Sequence, residues 1–341
     1  MSNFGWTCRI GKVVAGKRFM QAFQEKLDMV KENCRTILRW VRLVTIITIF
    51  AAGRYGFAAE QQTEKQSVRV LRDVEYIPRG HERNKLDLYL PQQAIGENQR
   101  PERLPLIIWV HGGAWMGGDK KNCPAVKFVH EGYAVASINY RLSQHAIFPA
   151  QIEDCKAAVR WLRANADKYG LDPKRIGVWG ASAGGHLVAL LGTTGDVKEF
   201  DKGENLKFSS RVQAVCDYFG PTDFLKIGEF PSTIKHYDVN SPESKLIGGA
   251  ILENKEACRR ANPITYVTKN DLPFLIVHGD TDPLVPHNQS ELLYEALQKA
   301  GVQAKLHIVK GGGHGGFKDP SIDRMVEEFF GKYLMKLKTK S

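Results

Sequence analysis

The chain has 341 residues, of which 43% are hydrophobic and 25% are charged, and this composition allows one large α/β domain or two small ones. Its formal net charge is +11, but the first 59 residues hold 10 of the 48 basic side chains and only 3 of the 37 acidic ones. The rest of the chain carries a net +4 without a cluster of Lys and Arg, so we expect no nucleic-acid partner.

The six cysteines show neither C-x-x-C nor the Cys/His spacing of a zinc site, so the sequence predicts no metal centre. Two of them lie in the first 59 residues, and the others are Cys123, Cys155, Cys216 and Cys258. In an oxidising compartment, one disulfide among these four and a set of free thiols fit the sequence equally well.

The N-terminal stretch, residues 1–59, contains an uncharged, mostly apolar run of 11 residues at 43–53. Basic residues precede this run and small residues follow it, as in a secretory signal peptide cleaved after Ala58. Because the 42 residues before the run exceed an ordinary basic leader, we expect translation to start at Met20 or Met29. The run is shorter than the ~20 residues of a membrane span, so we expect a secreted or periplasmic protein without stable membrane insertion; an uncleaved N-terminal anchor is the alternative.

Residues 60–341 are predicted to form one domain in which strands alternate with helices. Such alternation indicates a mostly parallel sheet, here of eight strands, with helices on both faces. The interval 222–270 is polar and breaks this rhythm, so we expect a small cap-like insertion that covers the functional site. The strands are expected at 68–77, 85–90, 106–110, 133–139, 175–179, 212–218, 274–277 and 305–309, and the helices at 151–169, 185–192, 288–300 and 322–337.

One five-residue motif, Gly180-Ala181-Ser182-Ala183-Gly184, lies between a predicted strand and a predicted helix. This context matches the G-x-S-x-G nucleophile elbow, in which a sharp turn presents a serine above the end of a sheet. Glycine flanks the serine because a Cβ there would clash and because glycine tolerates unusual backbone angles. We therefore expect Ser182 to be a nucleophile.

A serine nucleophile needs a base within hydrogen-bond distance. His314 follows the last predicted strand in a glycine-rich loop, where its ring can approach Ser182 without hindrance, and it is the preferred base. His278 and His111 are the alternatives, but His278 directly ends a strand and His111 begins a glycine turn. Structural roles are expected for both.

The base needs a carboxylate that accepts from its far nitrogen and holds the tautomer. Asp282 and Asp280 both follow the predicted strand at 274–277, and Asp282 is preferred because Pro283 fixes the turn just after it. Asp223 is the remaining alternative. The chain order Ser182, Asp282, His314 is that of α/β-hydrolase triads.

Acyl transfer also needs N–H donors for a tetrahedral oxyanion. The segment His111-Gly112-Gly113-Ala114 follows a strand and can supply backbone N–H groups from Gly113 and Ala114, and Ala183 can supply a third. Trp115 comes next; a wall of the acyl pocket and a core position are equally compatible with the sequence.

These motifs as a set resemble α/β-hydrolase esterases of the hormone-sensitive-lipase-like group, and most of all the feruloyl/acetyl xylan esterase-like branch. The resemblance covers about residues 68–337 and implies the α/β-hydrolase fold, with Ser182, Asp282 and His314 as the triad and Gly113, Ala114 and Ala183 as the oxyanion donors. The chain departs from many relatives in having HGGA instead of HGGG and Asn139 instead of Asp. The motifs are His111–Trp115, Asn139–Leu142, Gly180–Gly185, His278–Pro286 and Gly313-His314.

The resemblance implies a serine carboxylic-ester hydrolase that acts on short-chain acyl esters, free or linked to plant polysaccharide, without cofactor or metal. A serine peptidase of the prolyl-oligopeptidase type shares the fold and the triad, but this chain is too short to hold its β-propeller. A catalytically silent binding protein on the same fold is the alternative from another class. The sequence does not indicate an oligomeric state.

Overall fold

The computed structural model describes residues 67–92 and 103–335, together with five isolated positions between 24 and 32. The chain divides into a unit of residues 1–64 and a unit of residues 65–341. The predicted apolar run and cleavage site lie outside the described residues. Within the described part, no helix is both long and apolar enough to cross a membrane.

A single eight-stranded sheet organises the described part, with the spatial order β1-β2-β4-β3-β5-β6-β7-β8. Strand β2 is antiparallel to both of its neighbours, and all other pairs are parallel. This confirms the predicted mostly parallel sheet. The strands are β1 Val68–Glu75, β2 Lys85–Pro91, β3 Leu104–Val110, β4 Ala134–Ile138, β5 Leu171–Ala181, β6 Ala214–Tyr218, β7 Phe274–Gly279 and β8 Ala304–Val309.

Helices cover both faces because the central strands are apolar on both sides. In β3, Leu106 and Ile108 enter one hydrophobic core, while Ile107 and Trp109 enter the other. Helices α1, α3 and α6 contribute to the first core and α7 to the second. The helices are α1 Ala150–Ala164, α2 Ala166–Tyr169, α3 Ala183–Thr193, α4 Pro242–Ile247, α5 Lys255–Ala261, α6 Asn288–Lys299 and α7 Pro320–Leu334.

The single helix predicted over 151–169 is wrong in one respect, because the structure divides it at Asn165. The Asn165 side chain donates to the carbonyl oxygen of Trp161 at 2.9 Å, and its φ and ψ of −100° and 14° leave the helical region. Asparagine competes with the helix for backbone hydrogen bonds in this way, so it favours helix ends.

The interval 222–270 contains α4, α5 and two 3₁₀ turns, and its described residues form no strand. It packs against the loop after β7, where the Thr233 N–H donates to the Pro283 carbonyl at 2.8 Å and the Ser232 hydroxyl donates to the Leu284 carbonyl at 2.9 Å. The insertion therefore adjoins the loop that carries Asp282.

The four cysteines in the described part are free thiols. Cys155, Cys216 and Cys258 are buried. Burial raises the pKa of the Cys258 thiol to about 11 and that of Cys123 to about 12, so these two thiols stay protonated near neutral pH and are poor nucleophiles.

Candidate active site

Ser182 lies between β5 and α3 with φ +57° and ψ −123°, a backbone conformation that residues other than glycine rarely adopt. The flanking glycines make this turn sterically feasible. A Cβ added to Gly180 would overlap the carbonyl of Gly184, and one added to Gly184 would overlap the carbonyl of Val110. Ser182 therefore occupies the strained strand-to-helix turn that the motif predicts, at the carboxyl edge of the sheet.

His314 and Asp282 complete a hydrogen-bonded chain with Ser182. His314 Nε2 lies 2.9 Å from Ser182 Oγ, and His314 Nδ1 lies 2.7 Å from Asp282 Oδ2. With its Nδ1–H donated to the carboxylate, the neutral ring presents Nε2 as an acceptor for the serine hydroxyl. The structure thus brings together the three residues that the sequence analysis selected.

The carboxylate of Asp282 is fully buried and surrounded by donors. Its Oδ1 accepts the N–H groups of Leu284 at 2.8 Å and Val285 at 3.0 Å, and its Oδ2 lies 3.3 Å from His278 Nε2. Burial opposes ionisation, but the hydrogen bonds from His278, His314 and Val285 outweigh it and hold the pKa of Asp282 well below its usual range. Asp282 is therefore ionised at neutral pH and fixes the tautomer of His314.

The two rival histidines do not contact Ser182. His278 is buried, with Nδ1 at 2.7 Å from Ser290 Oγ and Nε2 at 2.8 Å from the Val285 carbonyl. His111 is also buried, and burial lowers its pKa to about 4. The structural roles expected for both histidines agree with these placements.

The two rival aspartates do not contact His314. Asp280 Oδ1 accepts the N–H of Gly311 at 2.6 Å, and Asp223 Oδ1 accepts the N–H of Leu225 at 3.1 Å. Asp280 thereby shapes the loop that carries the histidine, while Asp282 binds the histidine itself.

The predicted oxyanion segment is a tight turn in which Gly113, Ala114 and Trp115 have φ values of +112°, +55° and +54°. Glycine adopts such angles more easily than alanine. Among the described residues, no protein atom accepts from the N–H groups of Gly113 or Ala114. Ala183 begins α3, and the first N–H groups of a helix lack an acceptor within the helix. All three N–H groups can therefore serve a ligand.

Gly112 packs this turn directly against Ser182. A Cβ built on Gly112 would lie 2.7 Å from the Ala181 carbonyl oxygen and 3.2 Å from Ser182 Cβ. Only a residue without a side chain allows this approach. The turn therefore borders the place where a carbonyl carbon attacked by Ser182 would sit.

An arginine that the sequence analysis missed anchors the turn from outside. Arg83 Nη2 donates to His111 Nε2 at 3.1 Å and to the Gly118 carbonyl at 3.0 Å, and Arg83 Nε donates to the Tyr140 carbonyl at 2.8 Å. His111 Nδ1 in turn donates to the Gly112 carbonyl at 2.7 Å. Arg83 lies between β1 and β2, outside every motif, so no local signal pointed to it.

Trp115 is 1% exposed. Its ring packs edge-on against His186 and Phe224, with centroids 5.2 and 5.6 Å away. The structure therefore supports the core position for Trp115 over the predicted wall of an acyl pocket.

The segment after β4 is held by an ion pair and an amide. Arg141 Nη2 lies 2.7 Å from Asp154 Oδ1 and 3.6 Å from Glu153 Oε2, so Asp154 is its main partner. Asn139 Oδ1 accepts the N–H of Lys120 at 2.7 Å. Asn139 is therefore a buried link to the 118–120 loop.

One group of described side chains has the donor types of a cation site. Ligand atoms of His81, Glu82 and His145 lie within 4.8 Å of one another. Each histidine Nδ1 already accepts a backbone N–H at 3.2 Å, from Arg83 and Leu142 respectively. The group shares no residue with the triad, and the reaction derived below uses no metal.

A cleft of about 530 Å³ lies between the insertion and the loop of Asp282. Apolar side chains contribute much of its lining, among them Phe230, Pro231, Pro283 and Pro286. A second cleft, of about 540 Å³, lies at the amino ends of β7 and β8. The first cleft is lined by Asp282 but by neither Ser182 nor His314, and the second lies at the opposite edge of the sheet from these residues.

Residues 86–297 match the family model BD-FAE, which is more than half of the chain and includes Ser182 and Asp282. The chain belongs to the BD-FAE family. This membership confirms the resemblance to α/β-hydrolase esterases.

Relatives of this BD-FAE member are named as esterases. Esterase LipC of Mycobacterium tuberculosis is 33% identical over 215 residues, 62% of this chain and 53% of LipC. Esterase LipQ of the same organism is 32% identical over 268 residues, 77% of this chain and 61% of LipQ. The chain thus spans between half and two thirds of these curated relatives.

The fold also matches solved esterase structures. A truncated form of a carbohydrate esterase from gut microbiota is 36% identical, with a TM-score of 0.71, and the match covers 79% of this chain and 97% of that one. Almost the whole of that truncated enzyme is therefore represented in this BD-FAE member.

Proposed function

We propose that this BD-FAE family member is a serine ester hydrolase with Ser182 as nucleophile, His314 as base and Asp282 as the orienting acid. The observation that carries the proposal is the continuous hydrogen-bond chain from Asp282 Oδ2 through His314 to Ser182 Oγ, at 2.7 and 2.9 Å. The esterase names of the relatives support the same activity.

The reaction has two stages. Ser182 Oγ bonds to the ester carbonyl carbon while His314 Nε2 takes the hydroxyl proton, and the tetrahedral oxyanion accepts from the N–H groups of Gly113, Ala114 and Ala183. The C–O bond then breaks, and His314 returns the proton to the departing alcohol. Water then bonds to the acyl carbon while His314 Nε2 takes a proton from it, the bond from that carbon to Ser182 Oγ breaks, His314 returns the proton to Oγ, and the carboxylic acid leaves. Each oxyanion donor contributes roughly 10²–10³-fold in rate.

We propose short acyl esters of carbohydrate as the substrate class. The solved structure at 36% identity is described as a carbohydrate esterase, and this supports the choice. Rates on acetyl xylan, methyl ferulate and p-nitrophenyl esters of rising chain length test it. Highest kcat/KM on a long-chain ester, with none on acetyl xylan or methyl ferulate, would oppose it.

We also propose that the protein is exported, on the strength of the basic and apolar leader that ends near Ala58. Mass spectrometry of the protein recovered from the periplasm or the medium tests this. An N-terminus at residue 59 or 60 supports export with cleavage, and an N-terminus at Met1 contradicts it.

Hydrolysis of p-nitrophenyl acetate by the wild type and by Ser182→Ala tests the activity itself. The wild type should turn over, and the variant should lose at least about 10⁴-fold in kcat with an unchanged circular dichroism spectrum. Substantial turnover by a folded Ser182→Ala protein would refute the assignment. A wild type that binds esters without hydrolysing them would indicate a binding protein instead.

A further inference from the structure

His278 lies at the end of β7 with no exposed surface and has three polar neighbours. Ser290 Oγ is 2.7 Å from its Nδ1, the Val285 carbonyl is 2.8 Å from its Nε2, and Asp282 Oδ2 is 3.3 Å from the same Nε2. The same carboxylate oxygen also accepts from His314. His278 and His314 therefore contact the same oxygen of Asp282.

The neighbours determine the tautomer of this ring. A carbonyl oxygen and a carboxylate oxygen are acceptors only, so Nε2 carries a proton, which donates to the Val285 carbonyl at 2.8 Å and lies near Asp282 Oδ2, 3.3 Å from Nε2. In the neutral ring Nδ1 is then an acceptor, which suits the hydroxyl of Ser290. The geometry therefore describes a His278 ring that donates from Nε2 and contacts the Ser290 hydroxyl through Nδ1.

We propose that His278 is a positioning residue, whose Nε2–H holds Oδ2 of Asp282 in the direction that receives the Nδ1–H of His314. The proposal rests on the proposed esterase function. The backbone N–H groups of Leu284 and Val285 fix Oδ1, and His278 is the second histidine, besides His314 itself, that contacts Oδ2. Without it, the carboxylate can rotate away from His314, and small misplacements of catalytic groups lower rates strongly.

Polar, aromatic and titratable groups from each adjoining element face the pair formed by His278 and Asp282. Ser290 of α6 and the ring of Phe219, whose centroid is 6.2 Å from that of His278, add no charge. His314 is the titratable neighbour from the loop after β8. From the insertion, His236 contacts the Leu284 carbonyl at 3.1 Å and Glu243 at 3.1 Å. A change in pH dependence caused by His278 is therefore transmitted through Asp282 and His314.

Two substitutions distinguish the contact made by Nε2 of His278 from the contact made by its Nδ1. His278→Gln places an amide N–H near the position of Nε2 and keeps the donor to Asp282. His278→Asn places its amide near Nδ1, so it keeps the contact with Ser290 and loses the donor. We expect His278→Asn to lower kcat about tenfold, the equivalent of one modest hydrogen bond to a charged group, with KM within about twofold of wild type.

The pH profile distinguishes positioning from packing. Loss of the Nε2 donor leaves more negative charge on Asp282 to attract the proton of His314, so the acid limb of kcat/KM should move to higher pH in His278→Asn. In His278→Gln the limb should not move, and kcat should stay within about threefold of wild type. Equal kcat and equal profiles in the two variants, with differences in thermal stability only, would overturn the proposal.

Further readouts keep the test decisive. If His278→Asn does not fold, a loss of more than about tenfold in kcat by folded His278→Gln overturns the proposal. If the wild type lacks esterase activity, the proposed function fails, but the proton NMR signal of His314 Nδ1–H still reports on Asp282. That signal should persist downfield in His278→Gln and shift in His278→Asn; an unchanged signal in both contradicts the positioning role.

Discussion

Asp280 and Asp282 lie on the same turn but bind different parts of the loop that carries His314. Asp282 Oδ2 is 2.7 Å from His314 Nδ1, whereas Asp280 Oδ1 accepts the backbone N–H of Gly311 at 2.6 Å. One carboxylate therefore orients the His314 ring, and the other shapes the backbone around it.

This division of roles predicts unequal effects of the same chemical change. Asp282→Asn should lower kcat by about 10⁴-fold, because an amide in this position favours the wrong tautomer of His314. Asp280→Asn keeps an oxygen acceptor for Gly311, so its kcat should stay within about tenfold of the wild-type value. Steady-state kinetics on p-nitrophenyl acetate measure both, and similar losses in the two variants would contradict the assignment of the acid.

The packing of Gly112 on the nucleophile predicts that even a methyl group is harmful there. In Gly112→Ala the new Cβ meets the Ala181 carbonyl at 2.7 Å, so the oxyanion turn must shift, and kcat should fall by at least about 100-fold. Gly117→Ala is the matched control, because its nearest neighbour is 3.9 Å away. Equal losses of kcat in Gly112→Ala and Gly117→Ala would contradict the prediction.

Asp217 is a buried acid whose effect on stability depends on pH. Its Oδ1 accepts the N–H of Gly220 at 3.0 Å, while its Oδ2 has no partner among the described residues. Burial raises the pKa of Asp217 to about 7, against the smaller opposing effect of the Gly220 hydrogen bond. The folded state thus holds a proton that the unfolded state releases near pH 4.

Because the folded protein binds more protons between about pH 4 and pH 7, this residue makes stability fall as the pH rises through that window. The total loss above pH 7 is on the order of 4 kcal/mol. Asp217→Asn removes this dependence. The melting temperature of the variant minus that of the wild type should therefore increase from pH 5 to pH 8. A difference that is constant with pH would contradict the burial of a protonated acid.

The sequence predicted the sheet, the elbow and the meeting of Ser182, Asp282 and His314 because each depends on local signals. These signals are buried apolar runs, turn glycines and the order of motifs at strand ends. It did not predict Arg83, because the contact with His111 arises only when the β1–β2 turn folds next to the end of β3, 28 residues away. The break at Asn165 was missed because the apolar spacing continues through this residue, although asparagine favours helix ends.

The position of Trp115 was undecided for a related reason. An aromatic residue next to a glycine turn fits a pocket wall and a core equally well, and the choice depends on His186 and Phe224, which approach from other elements. Likewise, Asp217 looks like an ordinary strand residue until the packing of Gly185 and Gly220 around it is known.

The most direct test of the central claim is to identify the residue that a fluorophosphonate modifies. An activated serine attacks the phosphorus, fluoride leaves, and a stable adduct remains on its Oγ. Peptide mapping by mass spectrometry should find one adduct, on Ser182, with labelling at least about 100-fold slower in His314→Ala, which lacks the base. An unlabelled Ser182 in folded wild-type protein, or equal labelling rates in the two proteins, would contradict the account.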